Sequence, residues 1–161
     1  MHGETRRTFL KSVPTAAPAL AVLGAAAGKA SASEATTGGR RVVGGSASPN
    51  FSRAVVFDRL VFVAGVVGTK PGSRDLAAAD FDSQCRQALD NLRASVEAAG
   101  SGMDKVLKCT CFLTDVADFA TMNKIYVTYF PADPPARSTV VVKELVVPGA
   151  KLEIDCVTCL A

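Results

Sequence analysis

Residues 80–113 read DFDSQCRQALDNLRASVEAAGSGMDKVLKCTCFL, and this stretch decides the fold. Asp80 can cap a helix, its carboxylate accepting from backbone N–H groups that the first turn leaves free. Phe81, Cys85, Ala88, Leu89, Leu92, Val96 and Ala99 then recur at three- and four-residue steps, the period of a helix with one apolar stripe, and Gly100 ends it. Residues 106–113 follow as a strand, with Leu107, Cys109, Cys111 and Leu113 expected on one side. A helix apolar along one stripe needs a sheet to lie on, and here the sheet begins six residues after the helix stops.

Upstream, Ala54-Val-Val-Phe57 and Leu60-Val-Phe-Val-Ala64 flank Asp58-Arg59, two β-rich runs around a two-residue turn, which predicts a hairpin. Downstream, Asp115 or Asp118 caps a second helix carrying Phe119, Met122, Ile125, Tyr126 and Tyr129, which Pro131 forbids from continuing. After the Pro-rich loop 131–135, residues 138–142 and 151–159 read as two strands separated by a turn at Pro148-Gly149. The predicted order is ββαβαββ: a two-layer α+β domain over residues 46–161, a mixed sheet with both helices on one face.

Residues 33–45, rich in Ser, Thr, Gly, Ala and Arg, read as a flexible linker. Ahead of it, Thr5-Arg-Arg-Thr-Phe-Leu-Lys11 precedes a mildly apolar stretch from Val13 to Gly28 and then Ala30-Ser-Ala32. The adjacent arginines followed by Phe-Leu-Lys resemble a twin-arginine export signal, and the small-x-small triplet resembles a signal-peptidase site. Residues 1–32 are therefore expected to be a signal peptide cleaved after Ala32, with the mature protein exported to the periplasm or beyond. The alternative, a membrane anchor, has less than the roughly 20 apolar residues that span a bilayer and contains Pro14 and Pro18. Membrane contact is expected only through an uncleaved signal.

The net charge of +3 belongs to that leader. Arg6, Arg7, Lys11 and Lys29 against Glu4 leave 18 − 4 = 14 basic and 15 − 1 = 14 acidic residues in the rest of the chain. A neutral domain lacks the excess cations that neutralise phosphates, so nucleic acid is not an expected partner. The single histidine, His2, lies in the leader, which leaves the mature chain without Ser-His-Asp or Cys-His machinery and without a histidine metal ligand. Five cysteines are an odd count, and Cys156 and Cys159, three apart on a strand, point to opposite faces. Packing, not metal or disulfide, is the expected role.

Two residues carry the remaining chemistry. Arg137 stands where a rigid Pro-Pro-Ala loop enters a strand, a place where function often sits, although a snorkelling arginine reads the same way. Glu153 alternates with Asp155 in Leu-Glu-Ile-Asp-Cys, which is equally ordinary on a solvated sheet face.

Several blocks together carry a resemblance: Phe51-Ser-Arg-Ala-Val-Val-Phe-Asp-Arg-Leu-Val-Phe-Val-Ala64-Gly65, Gln87-Ala-Leu-Asp-Asn-Leu-Arg-Ala-Ser-Val-Glu-Ala-Ala-Gly100, Asp118-Phe-Ala-Thr-Met-Asn123, Pro134-Pro-Ala-Arg137-Ser-Thr-Val140 and Lys151-Leu-Glu153-Ile-Asp155. In this order they resemble the RidA/YjgF family over nearly all of residues 49–161. The Pro-Ala-Arg-Ser and Glu-Ile-Asp blocks are the specific ones.

The resemblance implies a chorismate-mutase-like fold and a homotrimer with ligand clefts between subunits. It also implies hydrolysis of 2-imino or enamine acids to 2-keto acids and ammonia, without a cofactor or metal. Carried over residue by residue, it assigns Arg137 to the substrate carboxylate and Glu153 to directing the attacking water. Backbone groups at Ser138 and Thr139 would hold the imine nitrogen, with Asn123 supporting the cleft. Phe51 falls where relatives often have tyrosine, Ala64 where they often have serine, and Thr139 where many have cysteine. The first two departures each remove a hydroxyl. They keep open a non-catalytic binder of small carboxylates, or a holdase of the cell envelope, beside the deaminase, as does export away from the cytoplasmic enzymes that generate enamines.

Overall fold

The computed structural model describes residues 39–44 and 49–161. The signal-peptide reading of residues 1–32 lies outside them, as does most of the linker.

Six strands and two helices form the domain: β1 (Arg41–Val43), β2 (Ala54–Phe57), β3 (Leu60–Val67), α1 (Phe81–Ala98), β4 (Val106–Leu113), α2 (Phe119–Tyr129), β5 (Ala136–Val141) and β6 (Leu152–Cys159). One sheet runs β1-β2-β3-β6-β4-β5; β4 and β5 are parallel and all other neighbours antiparallel. The expected mixed sheet with two helices is the architecture found.

Helix α1 starts where Asp80 accepts from the Ser83 N–H at 2.8 Å. For the second helix the two candidate caps divide the work. Asp115 accepts from Ala117 N–H at 2.8 Å and opens a single 3-10 turn, Val116–Asp118, whereas Asp118 caps α2 without a side-chain bond. Between β2 and β3, Asp58 takes φ 51°, the left-handed geometry that a tight hairpin turn requires.

One face of the sheet is covered. Val61, Val63, Cys109, Leu113, Ile154 and Cys156 meet Leu89, Leu92 and Val96 of α1 and Met122 and Ile125 of α2 in a continuous core. Each such Leu or Ile stabilises the fold by roughly 1.5–3 kcal/mol relative to exposure. Among the described residues no helix covers the other face, and Phe57, Leu60, Phe62 and Val140 are exposed on it.

Three expectations change. Residues 41–43, read as linker, form the edge strand β1 against β2, because Val43 reaches the core; the three-residue run is too short to show a period. The strand at 138–142 begins earlier, at Ala136, where parallel pairing with Lys108 starts. Leu107 is 49% exposed and Val106 is buried in its stead, because the β4–β6 register shifts between Val106 and Lys108 and the bulge turns Leu107 out.

Candidate functional site

Arg137 is the second residue of β5 and pairs with Cys109 of β4, whose buried side chain faces the helices. Neighbours in a ladder share a face, so the guanidinium projects toward α2. There its Nη2 donates to Asn123 Oδ1 at 2.6 Å, and its Cζ lies 4.6 Å from the centre of the Tyr126 ring and 5.9 Å from that of Phe119. Phe119, Asn123 and Tyr126 sit four and then three residues apart, on one stripe of the helix. Arg137 forms no salt bridge among the described residues. A half-buried cation without a carboxylate beside it suits an anionic ligand, and its fork geometry suits a carboxylate.

Glu153 lies on β6 between Phe112 of β4 and Val67 of β3, with its side chain on the face that the helices leave bare. It folds over Gly65: a Cβ added there would overlap the carboxylate and stand 2.9 Å from its Cδ. A side chain at position 65 would therefore displace Glu153. Gly65 belongs to a bulge in β3, where Ala64 and Gly65 oppose a single residue between the pairs Val63↔Cys156 and Val66↔Ile154. Burial pushes the Glu153 carboxyl above its ordinary range, and the negative charge of Asp155 pushes it further.

Two amide side chains of α1 fix the strand ends that hold this carboxylate. Gln84, fully buried, donates to the Ala78 and Gly149 carbonyls at 3.0 and 3.1 Å and accepts from Lys151 N–H at 2.9 Å, two residues before Glu153. Asn91 donates to the carbonyl of Val67, the β3 neighbour of Glu153, at 2.9 Å and to that of Thr69 at 2.8 Å.

The expected site residues thus fall into two groups. Arg137, Asn123 and Thr139, which pairs with buried Cys111, stand on the helix side. Glu153 and Ser138 stand on the bare side, where Ser138 Oγ accepts from Lys108 Nζ at 2.7 Å. Ala64 donates its N–H to the Arg53 carbonyl at 2.9 Å, which ties the bulge to the segment entering β2; Phe51, two residues before Arg53, is 59% exposed. One chain does not bring Arg137 and Glu153 to a common ligand.

Cys85, Cys109, Cys111 and Cys156 are buried among apolar side chains, and burial pushes the thiols of Cys85, Cys111 and Cys156 up to about 12. Thiols held protonated in this way are poor nucleophiles.

Sequence reasoning assigned Tyr126 to the core and gave Gly65, Gln84 and Asn91 no role. The signal for Tyr126 was the spacing 119, 123, 126, which puts an amide between two rings on one helical stripe. The two α1 amides were also legible, as polar residues adjoining the apolar stripe.

Residues 45–160 match the sequence model of the family described as Endoribonuclease L-PSP. The chain is 40% identical over 110 residues to Reactive Intermediate Deaminase A, chloroplastic, of Arabidopsis thaliana, an alignment covering 68% of this chain and 58% of that protein. It is 37% identical over 122 residues to the 2-iminobutanoate/2-iminopropanoate deaminase of Rattus norvegicus, covering 73% of this chain and 88% of the relative. Among solved structures, that of E. coli TdcF with bound serine superposes with a TM-score of 0.68 at 32% identity, covering 75% and 99% of the two chains. The chain belongs to this family, the RidA/YjgF proteins, within which imine deamination is the named activity of relatives.

Proposed function

We propose that this member of the RidA/YjgF family hydrolyses 2-imino and enamine acids to 2-keto acids and ammonia, in clefts between the subunits of a homotrimer. The observation that carries the reading is the state of Arg137: a guanidinium braced by Asn123 and two rings, with no carboxylate partner among the described residues. Deaminase relatives and a neighbour holding serine, a small carboxylate, support the same ligand class.

In the mechanism, Arg137 of one subunit grips the substrate carboxylate through two parallel N–H···O bonds. Glu153 of the adjoining subunit, its affinity for protons raised, takes one from water as the oxygen bonds to the imine carbon, while the imine nitrogen takes a proton from solvent. The tetrahedral carbinolamine collapses when Glu153 returns its proton to the amine: the C–N bond breaks, ammonia leaves, and the hydroxyl gives its proton back to solvent as the keto group forms. Backbone groups of Ser138 and Thr139 orient the nitrogen. No electrons leave the substrate, so this hydrolysis needs no redox partner.

Two chains are required because a ligand held on the helix side of one sheet cannot meet a carboxylate on its bare side. The exposed Phe57, Leu60, Phe62 and Val140 on that bare face favour assembly, since monomers seldom leave so many large apolar groups together in water. Export by the twin-arginine route would put the enzyme in the periplasm or outside, with no nucleic acid partner and with membrane contact only through an uncleaved signal.

A second reading, a carboxylate-binding protein without turnover, is favoured by Phe51 and Ala64, which lack hydroxyls to hold water or ligand. Ammonia release from 2-iminopropanoate generated in situ by an amino-acid oxidase separates the two. Turnover that Arg137→Ala abolishes establishes the deaminase, and a folded assembly that binds 2-oxobutanoate without turnover establishes the binder.

A further inference from the structure

Resting on the deaminase reading, we propose that Tyr126 is a positioning residue whose ring face fixes the plane of the Arg137 guanidinium, so that its edge and not its face meets the ligand carboxylate.

The five N–H donors of a guanidinium lie in its plane. Stacking occupies the face and leaves that edge open. The Arg137 Cζ is 4.6 Å from the centre of the Tyr126 ring, inside the range of a cation–π contact, and Asn123 Oδ1 accepts a hydrogen bond from Nη2 at the side. One group therefore sets the plane and the other sets the rotation within it. The platform is itself rigid: Tyr126 is 4% exposed and its ring packs on Phe130 at 4.6 Å between centres, tilted by 36°. Phe119 is more exposed and farther from the cation, so it borders the guanidinium where Tyr126 supports it.

The hydroxyl does not do the holding. Tyr126 Oη is buried, with the Cys109 thiol as its weak hydrogen-bonding neighbour and no oxygen or nitrogen partner among the described residues. Burial also holds the phenol in its neutral form, and the neighbouring Cys109 thiol raises it further. What reaches Arg137 is an uncharged, electron-rich ring in a site from which water is partly excluded, where the cation–π attraction is at its stronger end.

The test compares the full-length chain with its Tyr126→Phe and Tyr126→pentafluorophenylalanine variants, two replacements that keep the ring's shape and therefore the packing. Three quantities are read: the affinity for 2-oxobutanoate by calorimetry, KM and kcat for 2-iminopropanoate, and rotation of the Arg137 guanidinium about Nε–Cζ by nitrogen-15 NMR. Tyr126→Phe, which keeps the negative ring face, should hold affinity and KM within about twofold of the parent. Tyr126→pentafluorophenylalanine, which reverses that face, should raise Kd and KM by about three- to thirtyfold, leave kcat nearly unchanged and speed guanidinium rotation. Wild-type affinity, KM and rotation in the fluorinated variant would overturn the proposal. So would an equal loss in both variants, which would make the hydroxyl the holding group. If the parent neither binds 2-oxobutanoate nor turns over, the deaminase reading fails, and the guanidinium rotation still decides for or against the platform.

Discussion

Arg137 and Glu153 stand on opposite faces of one sheet, their strands separated only by β4, where Arg137 pairs with Cys109 and Glu153 with Phe112. The three-residue offset along β4 adds about 10 Å along the strand. Each residue has its own local support: α2 braces the arginine from the helix side, and the Gly65 bulge makes room for the carboxylate on the other. A site that uses both is therefore a property of an assembly.

The arginine fork should be irreplaceable. Arg137→Lys keeps a charge but loses the paired geometry and the fixed bond to Asn123, so kcat/KM for 2-iminopropanoate should fall by about ten- to a hundredfold, and Arg137→Ala should remove turnover. Melting temperature should change little in either variant, because a half-buried arginine without a salt bridge contributes mainly to the ligand. Steady-state ammonia release beside a thermal melt checks both halves.

Glu153→Gln should lower kcat by about a hundred- to ten-thousandfold while leaving 2-oxobutanoate affinity largely intact, as removal of a general base does. The raised carboxyl also fixes a sign for stability. A group whose folded pKa lies above its unfolded one favours the native state at low pH, and that contribution is lost as pH rises through the folded value. At neutral pH the charged Glu153 is thus a cost, and Glu153→Gln should melt at a higher temperature than the parent there, with the gap closing as pH falls toward 4.

Asp155→Asn removes the like charge that helps raise Glu153. Since the base must be ionised to accept a proton from water, the acid limb of the kcat/KM profile should move to lower pH in this variant. A limb that stays in place would show that Glu153 is not the group titrating.

Two glycines in β3 and just beyond it should behave differently. A Cβ at Gly65 meets the end of the Glu153 side chain, which can swing away, so Gly65→Ala should cut turnover while the fold survives. A Cβ at Gly68 meets the backbone of Gln84, 2.7 Å from its Cα, which cannot. Gly68→Ala should destabilise the domain by about 1–3 kcal/mol, readable in urea unfolding.

Phe51→Tyr and Ala64→Ser supply the hydroxyls that the family resemblance leads one to expect at these two places. Each new hydrogen bond is worth about 0.5–1.5 kcal/mol, so either change should lower KM by about two- to twelvefold if these positions line the cleft. Unchanged KM in both would remove them from it.

The sheet and helices were legible because long periodic runs such as 81–99 leave little choice of structure. The edge strand β1 was not, since three residues carry no period, and the turned-out Leu107 was not, since a bulge leaves alternation intact in the sequence while breaking it in space. Arg137 and Glu153 could be picked out only through resemblance; what residues alone hid was that the two face apart. That fact depends on strand parity across β6, β4 and β5, including which neighbours are parallel, and no single segment encodes it. Tyr126 was hidden by its own chemistry, because a ring on an apolar stripe reads as core whether or not a cation rests on its face.

A cleft shared between chains is tested most directly by subunit complementation. Arg137→Ala and Glu153→Gln chains, each inactive alone, are unfolded together at equal amounts and refolded, and ammonia release from 2-iminopropanoate is measured. In a closed head-to-tail ring, random mixing pairs an intact Arg137 with an intact neighbouring Glu153 in about a quarter of the clefts, so about a quarter of wild-type activity should return. A mixture as inactive as its components, although mixed assemblies have formed, would contradict a cleft built from Arg137 of one subunit and Glu153 of the next.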